Sequence, residues 1–315
     1  MDIRAGTSPK VSIIIVSFNC QEELGGCLKR LLQDEDDGYI ETIVVDNAST
    51  DGTLEMLQQI EHPGLRVIVN KENVGFSKAC NQGARVSRGE FLLFLNPDAV
   101  PKINTIRELA KFLEYRRDVG IVGPKILYDD GTLQLSCGKV PCLHYTIFEA
   151  FRLWMISKRL FGGYRYMTWD HSEERDVGWV SGACLMIRRN LFEEVGGFDE
   201  NFFLYGEDAD LCLRVQRHGY RVIYFPKVNI IHLEARSSKR VRSHALSRGY
   251  RSKLYYFREH HGILQAEILR IVFVLSSVIK AITAPLIGVL KGNPEYFSIG
   301  KAHIIAALKT FLRKV

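Results

Sequence analysis

The chain has 315 residues and seven cysteines, an odd number with no CxxC pair among them. A disulfide framework is therefore not expected, and free thiols in a reducing, cytoplasmic setting are the natural reading. The spacing of Cys137 and Cys142 is only a weak metal signal. No apolar run precedes Val11, so no secretory leader is expected. Internal repeats and low-complexity segments are missing. Hydrophobic residues make up 46% and charged residues 25%, which excludes collagen-like and disordered classes. Recognised nucleic-acid motifs are also lacking, so nucleic acid is not an expected partner. The net charge of +6 is mildly basic, and its distribution matters more than its sum.

The N-terminal half alternates strand and helix signals. Residues 11–17 (VSIIIVS), 42–45, 66–69 and 91–95 (FLLFL) are short apolar runs, the pattern of strands buried on both faces. Helical spacing is expected over 21–33, 49–59, 77–87 and 103–115. Strand and helix in alternation predict an α/β fold with a mostly parallel, doubly wound sheet. Further on, helix is expected over 147–160, 188–194 and 207–217. Strands are expected over 177–187, 220–225 and 228–232.

Ligands of such sheets sit beyond the carboxyl ends of the strands. Those ends carry Ser17-Phe18-Asn19, Asp46-Asn47 and Asn96-Pro97-Asp98. Singly, each is ordinary turn chemistry; three on one edge suggest a site. Asp98 follows a proline that stiffens its turn, and a carboxylate there suits a hard divalent cation such as Mg²⁺. Asp46 is placed to accept from a base or ribose. Glu207, Asp208 and Asp210 cluster at an expected helix start, where the dipole favours them. The apolar approach 202–206 would partly dry that place, so a carboxylate there could act as a general base. His232 ends an apolar strand and could complete an oxygen–nitrogen metal shell.

From Arg236 to Arg258 no acidic residue occurs, while eight are Lys or Arg, including Arg236, Lys239 and Arg240. A one-sign stretch suggests phosphate binding. Residues 271–290 then contain one charge, Lys280, and Pro285. As a helix this length reaches about 30 Å, the thickness of a bilayer core. A helix lying in the membrane interface is the preferred reading, with packing on the catalytic domain or a true span as alternatives.

The segments VSIIIVSFN (11–19), IVVDNASTDGT (43–53), NVGFSKACNQG (73–83), FLLFLNPDA (91–99), WVSGACLMIRR (179–189) and GGFDENFFLYGEDADLCLR (196–214), with His232, occur in a distinctive order and spacing. On these residues the chain resembles the family 2 inverting glycosyltransferases, in their rhamnosyltransferase-like branch, over about residues 11–235. The resemblance implies a nucleotide-diphospho-sugar transferase (GT-A) fold with a C-terminal helical, membrane-associating extension. The implied division is a catalytic domain at 1–235 and a basic, amphipathic tail at 236–315. Within the former, the nucleotide-sugar half is about 1–100 and the acceptor half about 101–235.

By position, Asp46 would contact the base or ribose, with Ser17, Asn19 and Asn47 around it. Asn73, Gly75 and Phe76 would line the donor pocket. Asn96-Pro97-Asp98 stands where the family has its DxD metal motif, with Asn96 in place of the first acid. Mg²⁺ or Mn²⁺ would rest on Asp98 and His232. Asp208, beside Glu207, matches the catalytic base; Trp179, Gly182, Ala183 and Tyr205 fall on the acceptor side. After His232 the family often has HxxGxS, and here Ala235 replaces the glycine. The implied activity is transfer of a sugar, rhamnose from dTDP-rhamnose, to a saccharide or lipid-diphosphate-linked acceptor in cell-envelope polysaccharide synthesis. The implied setting is the inner face of the cell membrane, and a homodimer is compatible with it. The rivals are the same fold with a UDP-hexose or UDP-galactofuranose, a non-catalytic saccharide-binding module, and a nucleotidyltransferase.

Overall fold

The computed structural model describes residues 8–32, 38–233, 242–293 and 295–312. Gln33, Arg236, Lys239, Arg240 and the loop 234–237 lie outside the described residues. In chain order the chain forms β1 (Val11–Ser17), α1 (Gln21–Leu31), β2 (Ile40–Asp46), α2 (Thr53–Gln58), β3 (Leu65–Val69), α3 (Phe76–Val86), β4 (Phe91–Leu95) and β5 (Ala99–Val100). There follow α4 (Ile103–Tyr115), β6 (Val119–Leu127), β7 (Leu133–Gln134), β8 (Cys137–Gly138), α5 (Leu143–Ala150), α6 (Lys158–Phe161), β9 (Arg175–Asp176), β10 (Trp179–Val180) and β11 (Cys184–Arg188). The last elements are α7 (Arg189–Glu194), α8 (Glu207–Arg217), β12 (Arg221–His232), α9 (Arg242–His261), α10 (Ile263–Lys291) and α11 (Glu295–Leu312).

The chain divides into two compact units. The first comprises Met1–Val140, Trp169–Asn201 and Glu207–Glu234; the second comprises Pro141–Thr168, Phe202–Gly206 and Ala235–Val315.

The first unit is built on one sheet of order β3-β2-β1-β4-β11-β6-β12-β5. The pairs β3–β2, β2–β1, β1–β4 and β6–β12 are parallel. Every residue of β1 and β4 is buried, as their unbroken apolar runs require. Each aliphatic side chain removed from water there contributes roughly 1.5–3 kcal/mol. Helix α3 lies close on β1: a Cβ at Gly83 would come within 2.6 Å of Ile14 Cγ2.

Three expectations are corrected. Residues 177–187 are not one strand. The chain leaves β10, which pairs with β8, turns at 181–183, and re-enters the main sheet as β11, antiparallel to β4 and β6. The expected strands 220–225 and 228–232 are one strand, β12, with a register shift between Phe225 and Asn229. The expected helix 147–160 breaks after Ala150, because Arg152 takes a left-handed backbone at φ 53°.

Strand β6 went unread in the sequence although it lies inside the sheet. Two glycines and Pro124 interrupt its apolar pattern, and proline ordinarily argues against an inner strand. The glycines answer to packing. A Cβ at Gly123 would stand 2.7 Å from Val180 Cβ.

The second unit packs α9, α10 and α11 together. Tyr250 stacks on Phe273 at 4.2 Å, and Ser277 Oγ donates to the Tyr250 hydroxyl at 3.2 Å. Helix α10 starts after Gly262 and stops at left-handed Gly292. Its Pro285 is accommodated by Gly300, where a Cβ would meet the proline ring at 2.9 Å. Helix α10 is long and apolar enough to cross a membrane by length and composition. Ile271, Leu275, Ile279, Ile282 and Leu286 form an exposed apolar stripe along it.

Gly123→Ala should destabilise the first unit by about 1–3 kcal/mol, because stiff Val180 cannot yield without moving β10. Urea unfolding checks this: the midpoint should fall with its slope unchanged.

Candidate active site

Parallel pairing brings the expected residues to one edge. Ser17 at the end of β1 sits in register with Asp46 at the end of β2. Asp46 is fully buried and held by three donors. Ser17 Oγ donates to Oδ1 at 2.9 Å, Ser49 Oγ to Oδ1 at 2.6 Å, and the Ser49 N–H to Oδ2 at 2.9 Å. Asn19 bends away at φ 51° and its Oδ1 accepts from the Thr50 N–H at 2.7 Å. Ser17 and Asn19 therefore shape the loop around Asp46.

Asn47 is buried, and its Nδ2 donates to the Gly75 carbonyl at 3.2 Å. Its Oδ1 accepts from Asn70 Nδ2 at 2.8 Å. Asn73 Oδ1 accepts from the Gly75 N–H at 3.0 Å, fixing the turn into α3. Gly75 takes φ 89°, a left-handed value that a side chain would oppose. Phe76 meets Phe198 edge-on at 6.1 Å. Ser49 and Asn70 were not singled out from the sequence. Ser49 lies inside the IVVDNASTDGT segment and could have been, whereas Asn70 has no local signal.

A second cluster forms around His232. β5 pairs antiparallel with the end of β12, setting His232 opposite Ala99. His232 Nε2 thereby lies 3.0 Å from Asp98 Oδ1 and 3.2 Å from Asn96 Nδ2. The other ring nitrogen, Nδ1, is 2.9 Å from Gln134 Oε1. An amide oxygen only accepts, so Nδ1 carries a proton. In a neutral ring Nε2 then turns its lone pair toward the Asp98 carboxylate. Gln134 was missed in the sequence; β7 delivers it by pairing with β6.

The third cluster lies at the start of α8, where β11 begins. Asp208 Oδ2 accepts from the Gly182 N–H at 3.1 Å, and Oδ1 from the Ala209 N–H at 2.8 Å. A Cβ on Gly182 would touch Asp208 Cβ at 3.7 Å and Phe76 at 4.0 Å, so these residues are neighbours. Because β11 runs antiparallel to β4, its start comes to the carboxyl edge of β4: the Asn96 N–H donates to the Ala183 carbonyl at 3.0 Å. Trp179 is buried in β10. Tyr205 belongs to the second unit, with φ 71° and an exposed side chain.

Glu207 differs from its neighbour. It is buried, and its Oε2 has no hydrogen-bond partner among the described residues. Burial, followed by the nearby Asp208 carboxylate, pushes its carboxyl up to about 8. Among the described residues no three His, Cys, Asp or Glu side chains converge as a metal cage, Cys137 and Cys142 included.

Residues 12–196 match the family described as Glycosyl transferase family 2, and the chain belongs to that family. It is a glycosyltransferase with a GT-A-like mixed α/β fold. Residues 166–236 also match a model described as the N-terminal domain of galactosyltransferase. Among relatives, the chain is 29% identical over 241 residues to the N-acetylglucosaminyl-diphospho-decaprenol L-rhamnosyltransferase of Mycobacterium tuberculosis, covering 71% of this chain and 76% of that protein. It is also 29% identical to the rhamnosyltransferase WbbL of Escherichia coli, over 70% of this chain and 83% of the relative. In fold it is similar to the mannosyltransferase PcManGT from Pyrobaculum calidifontis, solved with GDP-Man and Mn²⁺. That likeness has a TM-score of 0.59 at 19% identity, covering 98% of this chain and 89% of that one.

Glu207→Gln should flatten one part of the pH–stability profile. The folded-state carboxyl is raised from its ordinary value of 4.5 to about 8, so its contribution is fully present below 4.5 and is lost as pH rises toward 8. Thermal melts across that window should show the wild type losing stability relative to the variant.

Proposed function

We propose that this protein is an inverting glycosyltransferase that moves rhamnose from dTDP-rhamnose to a saccharide or lipid-diphosphate-linked saccharide in cell-envelope polysaccharide synthesis. The observation that carries this reading is the gathering, in one unit, of Asp46, the Asp98–His232 pair and the oriented Asp208 carboxylate. The names of the M. tuberculosis and E. coli relatives support the sugar, and the first of them supports a lipid-linked acceptor.

In this reading Asp46, Ser17, Asn19 and Asn47 form the nucleoside end, and Asn73, Gly75 and Phe76 line the donor pocket. The donor set of Asp98 Oδ1 and His232 Nε2 fits a divalent cation: a carboxylate oxygen and an imidazole nitrogen lie 3.0 Å apart, and Gln134 fixes the ring that presents one of them. Two protein ligands suit Mg²⁺ or Mn²⁺, with substrate phosphate oxygens supplying others. When bound, such an ion neutralises charge on the departing diphosphate. Asn96 adds no negative charge, so Asp98 alone supplies it from this turn.

Asp208 is the base. Its carboxylate, oriented by the Gly182 and Ala209 N–H groups, takes the proton of the acceptor hydroxyl. That oxygen attacks the anomeric carbon as the bond to the nucleoside diphosphate breaks, and a single displacement inverts the configuration. Glu207 is buried, and burial holds its carboxyl above the ordinary range, apart from the role given to Asp208. Trp179, Gly182, Ala183 and Tyr205 are proposed on the acceptor side. The exposed stripe on α10 supports a peripheral position on the inner face of the cell membrane. Residues 1–235 would be the catalytic part and 236–315 the membrane-associating part, and a homodimer is compatible with this. A UDP-hexose donor is the second reading, favoured by the galactosyltransferase-domain match.

Calorimetric titration with dTDP, UDP and GDP, each with and without Mn²⁺, tests the donor. Metal-enhanced dTDP binding is expected; preference for UDP selects the second reading, and binding of none overturns both. Asp208→Asn should cut turnover by roughly 10²–10⁴-fold while leaving dTDP binding intact. Full turnover in that variant would remove Asp208 as base.

A further inference from the structure

The second unit holds a half-open cavity of about 660 Å³ among its helices, with charged and apolar residues in its lining. Arg152, Arg165, Lys253 and Lys280 line it against one carboxylate, Glu149. That carboxylate is already engaged, by Arg165 at 2.9 Å and Lys253 at 3.1 Å. Among the described residues neither Arg152 nor Lys280 has a carboxylate within ion-pair distance. Lys280 is the charge that interrupts the apolar run of α10, and the fold turns it into this cavity rather than onto the exposed stripe.

Facing it from α11 is His303, only 6% exposed, whose Nδ1 has no hydrogen-bond partner among the described residues. The cations destabilise one another. Burial, then Arg152 and Lys253, lower the Lys280 ammonium to about 8. Burial, then Lys280 and Arg152, lower His303 to about 4. A buried imidazole without a partner, beside crowded cations, is a site that an anion with several acceptor oxygens would satisfy.

The size and charge narrow the ligand. The cationic excess is more than one monoanionic headgroup neutralises, and the cavity has room for more than a single phosphate. The same helices carry exposed apolar residues: Ile279 and Ile282 flank Lys280 in sequence, and Ile304 follows His303. A cationic cavity on helices with apolar outer faces is complementary to an anionic amphiphile. We infer that this cavity receives the diphosphate headgroup of a membrane lipid, with α10 and α11 against the acyl or prenyl region. The lipid's role as acceptor carrier rests on the proposed function; the headgroup site rests on the cavity alone.

Flotation of the full chain tests this, with neutral phosphatidylcholine vesicles containing either undecaprenyl diphosphate or phosphatidylglycerol at matched surface charge. Preference for the diphosphate lipid is expected, with competition by inorganic pyrophosphate. Lys280→Met should weaken that binding by roughly thirty-fold, the scale for removing one partner of a buried charge pair, and exposed Arg152→Gln by a smaller factor of about three- to ten-fold, with dTDP binding retained. Arg152 is exposed at a turn, so Arg152→Gln decides the matter if Lys280→Met fails to fold. Equal binding to both vesicles, or variants with the wild-type preference, would overturn the site. Pyrophosphate binding without vesicle recruitment would overturn the lipid assignment. Diphosphate-lipid binding by a chain that binds no nucleotide would leave this site standing and remove the glycosyl-donor reading.

Discussion

The pairing of β5 with the last residues of β12 is the constraint on which the candidate site depends. It is a short contact, Ile231 with Val100 and His232 with Ala99. Through it a histidine is fixed against an aspartate on a turn more than 130 positions earlier, at 3.0 Å. The turn itself is held from below by β4 and from the side by the Asn96 N–H bond to the Ala183 carbonyl. Both neighbours are inner strands, so the turn that carries Asp98 is anchored to the middle of the sheet. Preorganisation of this kind is what a site for a charged, departing diphosphate requires.

The rest of the first unit can be understood as support for that edge. The fully buried β1 and β4 make a rigid base, and their parallel register aligns Ser17 with Asp46. The antiparallel insertion of β11 is the less obvious device. A parallel strand there would end, not begin, at the site edge. Reversal brings the start of β11, with Gly182 and Ala183, to where Asp208 and Asn96 can bond to their backbone. Glycine at 182 leaves the approach to Asp208 and Phe76 uncrowded. The neighbouring carboxyls of α8 then separate by environment: Asp208 is oriented by backbone donors, and Glu207 is buried, which pushes its carboxyl up.

The second unit follows a different logic. Its helices bury small residues and aromatic rings, such as Ala306 and Phe273, and leave an apolar stripe outward. Half-buried Lys280 and buried His303 both line the cavity among these helices. The face of α10 that its neighbours do not cover is apolar, and the proposed membrane surface would cover it.

Much was legible in the sequence because it was local. Apolar runs announced β1 and β4, and strand–helix alternation announced the parallel β3-β2-β1-β4 part of the sheet. The motif segments named the family and put Asp46, Asp98 and Asp208 forward as a group. What sequence could not give depended on long-range pairing. β6 was unreadable because Gly120, Gly123 and Pro124 mask its apolar pattern, and those glycines are explained only by side chains packed against them from elsewhere. Gln134 and Asn70 have no local signature; they matter through strands and loops that tertiary structure sets beside His232 and Asn47. Lys280 read as a flaw in an apolar helix, and only the packing of α5, α9 and α11 around α10 made it part of a cationic cavity. The sequence by itself determined the chemistry on offer, because residue types and strand ends are local facts. Tertiary structure alone decided which of those groups meet, because a distance of 3 Å between residues far apart in the chain is set by sheet register and helix packing.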